Sequence, residues 1–284
     1  MDHIALNSGT TIPALGFGVY QTPPAITDRV VREAIEVGYR LIDTAQYYRN
    51  EAQVGQAVRA ALSQGLARED LFITTKIMTS GYEESRRAIM DSVAALDLGR
   101  IDLMLIHWPQ EDGPGTWRAL EEAVDAGRVR AIGLSNFYGQ DLEEIIGGAR
   151  ILPAVNQVEA SVVYQQRRLM PALERHGIRL EAWGPLGQGR RGVLTDPVLA
   201  KVAQAHGATP AQVALAFQVR TGVITIPKTV NRDRMVENLA AADIELSAAE
   251  LEHLAALDTG HCIGWPGFPE QDYDPADYPF TVPS

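Results

Sequence analysis

Along the chain, short runs of β-branched and aliphatic residues alternate with longer stretches in which apolar positions recur every three to four residues. Strand followed by helix, repeated, is the pattern of parallel α/β architecture, because each helix returns to cover the sheet it has just left. Eight strands are predicted, at 15–19, 40–43, 71–77, 101–107, 129–135, 154–159, 179–183 and 223–226. After the third, Ile89, Val93 and Leu96 stand at i, i+4 and i+7 and make one apolar stripe, with Glu83, Glu84, Arg86 and Arg87 mainly off it. Such a stripe reads as core, not function. Three capping boxes mark helix starts, Ser80 with Glu83, Thr209 with Gln212 and Ser247 with Glu250, and Pro210 stands at a first helical position where its missing N–H costs nothing.

Eight strands with helices between them predict a (β/α)8 TIM barrel, a fold of about 250 residues, here as a single domain over 1–284. Two pieces are left over. Residues 4–6 and 11–13 flank Asn7-Ser8-Gly9-Thr10 and read as a β-hairpin ahead of the first strand, placed to plug the barrel bottom. Residues 260–284 are rich in Pro, Gly and aromatics without helical period and read as an ordered C-terminal loop tail.

Composition narrows the class. A hydrophobic share of 46% with 21% charged residues is that of an ordinary globular protein. The formal net charge of −11 argues against a nucleic acid or an anionic membrane as partner. A single cysteine, Cys262, rules out an internal disulfide, a thiolate zinc cage and an iron–sulfur cluster. No metal site is expected: His261 with Cys262 is too small a ligand set, and Asp272, Asp274 and Asp277 lack the glycine and glutamate of a calcium loop. With no basic leader and no apolar run of about 18 residues, the expectation is a cytoplasmic monomer acting on a small molecule.

Barrel chemistry sits at the C-terminal ends of the strands. Those ends carry Asp43, Lys76, His107, Ser135-Asn136, Asn156-Gln157, Trp183 and Pro227-Lys228. Singly, each has a bland reading: Asp43 as a cap, Lys76 as a snorkelling surface lysine, His107 as a satisfied core residue. Jointly, Asp43, Lys76 and His107 with Tyr48, five residues beyond Asp43, suit one proton-transfer reaction. A carbonyl receiving hydride becomes an alkoxide and needs a proton donor. A tyrosine, with its reference pKa of about 10, donates more readily when a cation stabilises its phenolate. Lys76 supplies that cation, Asp43 keeps it protonated, and a neutral His107 aligns the oxygen.

These stretches resemble the aldo-keto reductases. The likeness lies in Gly38-Tyr39-Arg40-Leu41-Ile42-Asp43-Thr44-Ala45-Gln46-Tyr47-Tyr48-Arg49-Asn50-Glu51, in Phe72-Ile73-Thr74-Thr75-Lys76 and in Asp102-Leu103-Met104-Leu105-Ile106-His107-Trp108-Pro109, and runs from the first strand to about Asp258. Trp183-Gly184-Pro185-Leu186-Gly187-Gln188-Gly189 is similar to bacterial diketogluconate reductases within that family. The resemblance implies NADPH-dependent reduction of aldehydes, ketones or dicarbonyls, with Asp43, Tyr48, Lys76 and His107 as catalytic tetrad. It implies that Ser135, Asn136 and Gln157 hold the nicotinamide carboxamide, that Trp183 stacks on the ring, and that Leu186 and Gln188 touch the cofactor. It also implies that Lys228, Thr229, Arg234, Glu237 and Asn238 bind the adenosine 2′-phosphate and adenine.

The phosphate end has a direct reading too. Asn231 can cap a helix whose amides face an anion, and residues 220–234 carry a local charge of +3 from Arg220, Lys228, Arg232 and Arg234 against Asp233. NADP is favoured over NAD. Gly187-Gln188-Gly189-Arg190-Arg191-Gly192 satisfies G-x-G-x-x-G, yet no helix is predicted to open at Gly192, so a loop closing over the pyrophosphate is preferred to a Rossmann turn. Where many family members carry tryptophan after the lysine strand this chain has Met78, and Ala160-Ser161 follows Glu159 where a His-Pro pair is common. Tyr20, Met78, Trp108, Trp265 and Phe268 are the candidates for the substrate wall. Two other readings stay open: a Schiff-base aldolase using Lys76, and a nicotinamide-binding regulatory module without turnover.

Overall fold

The computed structural model describes residues 2–189 and 192–262. His3–Ala5 (β1) and Thr11–Pro13 (β2) pair as an antiparallel hairpin. Parallel strands follow: Phe17–Gly18 (β3), Leu41–Asp43 (β4), Phe72–Ile77 (β5), Ile101–Ile106 (β6), Val129–Ser135 (β7), Val155–Glu159 (β8), Arg179–Trp183 (β9) and Ile224–Thr225 (β10), hydrogen-bonded in chain order. The two edges meet. Leu15 bridges Thr225 in parallel, and the Gly16 and Gly18 amides donate to Thr225 O at 2.8 Å and Pro227 O at 3.0 Å. The sheet therefore closes into a (β/α)8 barrel.

Around it run Pro24–Val37 (α1), Glu51–Ser63 (α2), Tyr82–Leu96 (α3), Gly113–Asp125 (α4), Gly139–Gly148 (α5), Met170–Arg175 (α6), Pro197–Ala205 (α7), Pro210–Arg220 (α8), Arg232–Leu239 (α9) and Ala248–Ala255 (α10). All eight strands fall where the apolar runs predict them. The first and last are shorter than predicted, because near the seam the backbone exchanges only single bonds and Pro227 has no N–H to extend a ladder.

Period-two alternation sorts the strand residues. Ile42, Ile73, Met104, Ile132, Val158 and Leu180 pack outward under the helices, whereas Leu41, Phe72, Leu103, Leu105, Ala131, Val155 and Ile224 form the interior. Leu6 and Ile12 of the hairpin join that interior cluster, and Asn7 Nδ2 donates to Pro153 O at 2.8 Å. The hairpin thus plugs the barrel bottom, with its first strand one residue earlier than predicted.

Thr209 with Gln212 and Ser247 with Glu250 form complete capping boxes. Ser80 does not cap a helix: α3 starts behind Gly81, whose φ of 82° suits a residue without Cβ, and the Ser80 hydroxyl accepts from the Asp112 amide at 2.9 Å instead. A tertiary partner outcompetes the local cap. The α3 stripe is as read, with Ile89 and Leu96 buried and Val93 half-buried. No described helix is long and apolar enough to cross a membrane. The predicted tail beyond Cys262, with Trp265, Phe268, Asp272, Asp274 and Asp277, lies outside the described residues.

Helices α2 and α3 meet at backbone distance. A Cβ on Gly55 would run into the Leu96 backbone carbonyl, which also accepts from Arg59 at 2.7 Å and has little room to retreat. Alanine is favoured over glycine in a helix interior by about 1 kcal/mol, yet overpacking costs about 1–3 kcal/mol. Gly55→Ala is expected to lower the denaturant midpoint at unchanged slope. A raised midpoint would contradict the close approach.

Candidate active site

Strand β4 ends at Asp43 and runs into a 3₁₀ turn, Gln46–Tyr48. Buried Asn50 pins that turn: it accepts from the Thr44 hydroxyl at 2.7 Å and donates to Val19 O at 3.3 Å and Thr22 O at 3.2 Å, tying the loops after β3 and β4 together. On β5, Thr75 faces outward and donates to Glu51 of α2 at 2.6 Å, so its neighbour Lys76 faces inward. There Lys76 Nζ meets Asp43 Oδ1 at 2.6 Å and Thr44 O at 2.9 Å, fully buried. The second oxygen of Asp43 accepts from Gln157 Nε2 at 2.9 Å.

The other two tetrad candidates stand above this pair. Lys76 Nζ lies 5.2 Å from the centre of the Tyr48 ring, and the Tyr48 and His107 rings are 5.6 Å apart, edge to face. Burial pushes the Asp43 carboxyl up, while Lys76 and Gln157 hold it toward its charged form. Loss of surrounding water pushes the Tyr48 phenol well above its usual value, and Asp43, Tyr20 and Glu181 add to this, so the phenol keeps its proton. The expected net lowering by Lys76 does not result, because burial and the Asp43 carboxylate dominate. His107 is held well below the usual imidazole value by burial and by Lys76, which makes it neutral, and its Nδ1 has no partner among the described residues.

Above them a cleft of about 870 Å³ opens at the C-terminal ends of the strands, within the range of small-molecule sites. Asp43, Tyr48 and His107 line it; Lys76 lies behind. So do Ser135, Asn136, Gln157, Trp183, Leu186 and Gln188 along one part, and Lys228, Thr229, Arg234, Glu237 and Asn238 at the far end. Asn136 takes a left-handed φ of 63°, tolerated by asparagine, and donates to His107 O at 3.1 Å and Ser135 Oγ at 3.0 Å while accepting from Trp183 Nε1 at 2.8 Å. This bond fixes the indole.

At the far end Asn231 caps α9, accepting from the Arg234 amide at 3.1 Å. Lys228 and Arg234 form no ion pair with a described residue, whereas Arg220 turns away to Asp2 at 2.9 Å and Glu245 at 2.8 Å. The basic patch is therefore narrower than the sequence count. Two free cations beside capped helix amides, with an indole at the opposite end, fit an elongated ligand that carries a phosphate and a flat ring.

Tyr20 lines the wall, with its ring 5.1 Å from that of Tyr48. Met78 is half-buried and Trp108 buried, and neither lines the cleft; Trp265 lies outside the described residues. Gly18, Gln21, Pro185, Leu194, Ala211 and Ile226 line it as well. They carry no chemical signature, only position. Glu181, buried under the ion pair, is a further acid that strand-end reasoning passed over, since it lies two residues before the strand's end. The glycine string gives a 3₁₀ turn at Gly187–Gly189, and after Gly192 another at Val193–Thr195; α7 opens only at Pro197, so there is no Rossmann turn.

The sequence profile of the Aldo/keto reductase family matches residues 14–259. A morphine 6-dehydrogenase from Pseudomonas putida is 42% identical over 277 residues, covering 92% of this chain and 93% of that protein. A glyoxal reductase from Bacillus subtilis is 40% identical over 267 residues, covering 93% and 95%. A solved aldo/keto reductase from Brucella melitensis, 38% identical, superposes with a TM-score of 0.85 over 90% of this chain and 99% of that one. The cleft, the buried pair and these matches agree: the chain belongs to the aldo/keto reductase family of oxidoreductases.

Proposed function

We propose that this protein reduces aldehydes, ketones or dicarbonyls to alcohols with NADPH, as a monomer whose cleft comes from one chain. The observation that carries this reading is Tyr48 beside His107 at the cleft, directly above a buried Lys76–Asp43 pair, where burial holds the phenol up and the imidazole down. When bound, the dihydronicotinamide supplies the hydride. Trp183, Asn136, Ser135 and Gln157 hold that ring, and Leu186 and Gln188 flank the cofactor. Asn136 Oδ1 has a second lone pair free and Gln157 keeps one N–H beyond its bond to Asp43, so both can still meet a carboxamide.

His107 has one ring proton. With Nδ1 unpartnered and bare, the proton sits on Nε2 and donates to the carbonyl oxygen, fixing its direction. Tyr48 then gives its proton to that oxygen. A raised phenol pKa does not forbid this, because an alkoxide is far more basic than a phenolate. The phenolate left behind is balanced by Lys76, whose Nζ lies over the ring. A Schiff-base role for Lys76 fits poorly, since that lysine is fully buried, paired and off the cleft surface. Lys228 and Arg234 select the 2′-phosphate, and Thr229, Glu237 and Asn238 border the adenosine.

NADPH consumption against a panel of aldehydes, α-dicarbonyls and keto-sugars tests the activity. The wild type is expected to turn over, and Tyr48→Phe to lose about 10²–10⁴-fold, the span of general acid catalysis, at nearly unchanged NADPH affinity. Absence of turnover across the panel would favour a binding module, and an unimpaired Tyr48→Phe would remove the donor role.

Replacing Lys228 and Arg234 together by Ala should weaken NADPH binding far more than NADH binding, measured by quenching of protein fluorescence. Two charge-assisted contacts contribute about 1.5–3 kcal/mol each, so a selective loss of at least about tenfold is expected. Equal losses for both cofactors would refute the phosphate assignment.

A further inference from the structure

Glu181 lies on β9 with its side chain inside the barrel, fully buried, and neither carboxyl oxygen has a hydrogen-bond partner among the described residues. Its ladder neighbours are Gln157 on β8 and Ile224 on β10, both uncharged. Gln157 in turn donates to Asp43 at 2.9 Å, so the acid stands beside the amide that holds the second oxygen of the ion pair. The titratable groups that face it are Asp43 from β4, Lys76 from β5 and Tyr48 from the turn beyond β4. Of the other inward side chains of this part of the barrel, Leu103, Leu105, Ala131 and Val155 are apolar and Thr74 is buried and uncharged.

Charge balance decides the state of this acid. Asp43 and Lys76 cancel, and a neutral Glu181 leaves the buried cluster without net charge. An ionised one would be a buried carboxylate with only the side of the Gln157 amide, already bonded to Asp43, turned toward it, which a protein interior strongly disfavours. In keeping with this geometry, burial pushes the Glu181 carboxyl up to about 8, with Asp43 adding to the shift and Lys76 and Gln157 opposing it.

We propose that Glu181 is a positioning residue of the reductase site, kept as the neutral acid so that Asp43 remains the charged carboxylate beneath Tyr48. Ionising Glu181 adds a second negative charge under the phenol and holds its proton back. The proposal rests on Tyr48 as the proton donor and acceptor of the reaction. It bears most on alcohol oxidation, where Tyr48 must first be free of its proton: Glu181 ionises before Tyr48 does, so the wild type carries the extra charge through that titration.

Glu181→Gln and Glu181→Met keep a similar volume and carry neither the charge nor the acid proton. Two measurements compare them with the wild type. The first is the denaturant midpoint from about pH 4 to about pH 9. The unfolded chain releases this proton near ~4.3 and the folded chain at about 8. Between those values the folded state binds the extra proton, so wild-type stability falls relative to both variants as pH rises, then levels off. Midpoint curves that stay parallel across this range would overturn the neutral acid.

The second is the pH profile of alcohol oxidation. Its base limb is expected to move to lower pH by about one unit in both variants, the size of one charge acting across part of a protein interior. An unmoved limb overturns the coupling to Tyr48. A limb that moves with Gln and not with Met also overturns it, because the effect then belongs to the new amide. Should the wild type turn over no carbonyl and no alcohol, the reductase reading fails, and the midpoint curves still decide the charge state of Glu181.

Discussion

Lys76 and Asp43, 2.6 Å apart inside the barrel, make the contact on which the site is built. Two charges taken out of water are tolerated only when their geometry is good and their remaining hydrogen-bonding capacity is used. Here Asp43 places one oxygen on Lys76 and the other on Gln157, while Lys76 also donates to Thr44 O. Those bonds join the neighbouring strands β4 and β5 to β8, a contact that crosses the lumen because the sheet is closed. The seam bonds between the start of β3 and β10 thus serve the chemistry as well as the fold. Removing either charge would leave its partner stranded, at a cost of about 3–5 kcal/mol.

Protonation at the mouth follows from the pair. Lys76 helps burial keep His107 neutral, and Asp43 helps burial keep the Tyr48 proton on. In the proposed reduction the first would direct an oxygen and the second supply a proton, with both states set from below by the buried pair. The proposed selectivity for a phosphate-bearing cofactor would lie at the opposite end. There Lys228 and Arg234 form no ion pair with a described residue, while Arg220 is absorbed by Asp2 and Glu245.

Much of this could be read from residue order. Apolar runs such as 101–107 and 129–135 located their strands because a strand buried on both faces has no alternation to blur, and the strand-end rule collected Asp43, Lys76 and His107. Partners across space were less legible. Ser80 was drawn to the Asp112 amide and not to its own helix, and Trp108 buried itself away from the cleft although it adjoins His107. Glu181 was hidden by its place in mid-strand. Its signal was present all the same: a carboxylate at an inward position, in step with residues whose neighbours are aliphatic.

In the proposed mechanism Asp43 and Lys76 act as one unit in setting the proton chemistry of Tyr48. A double-mutant cycle on kcat/KM, using Asp43→Asn, Lys76→Met and the pair together with one reactive dicarbonyl, tests it most directly. Strong non-additivity is expected, with the double variant losing about as much as the worse single variant. Losses that multiply as for independent sites would contradict it.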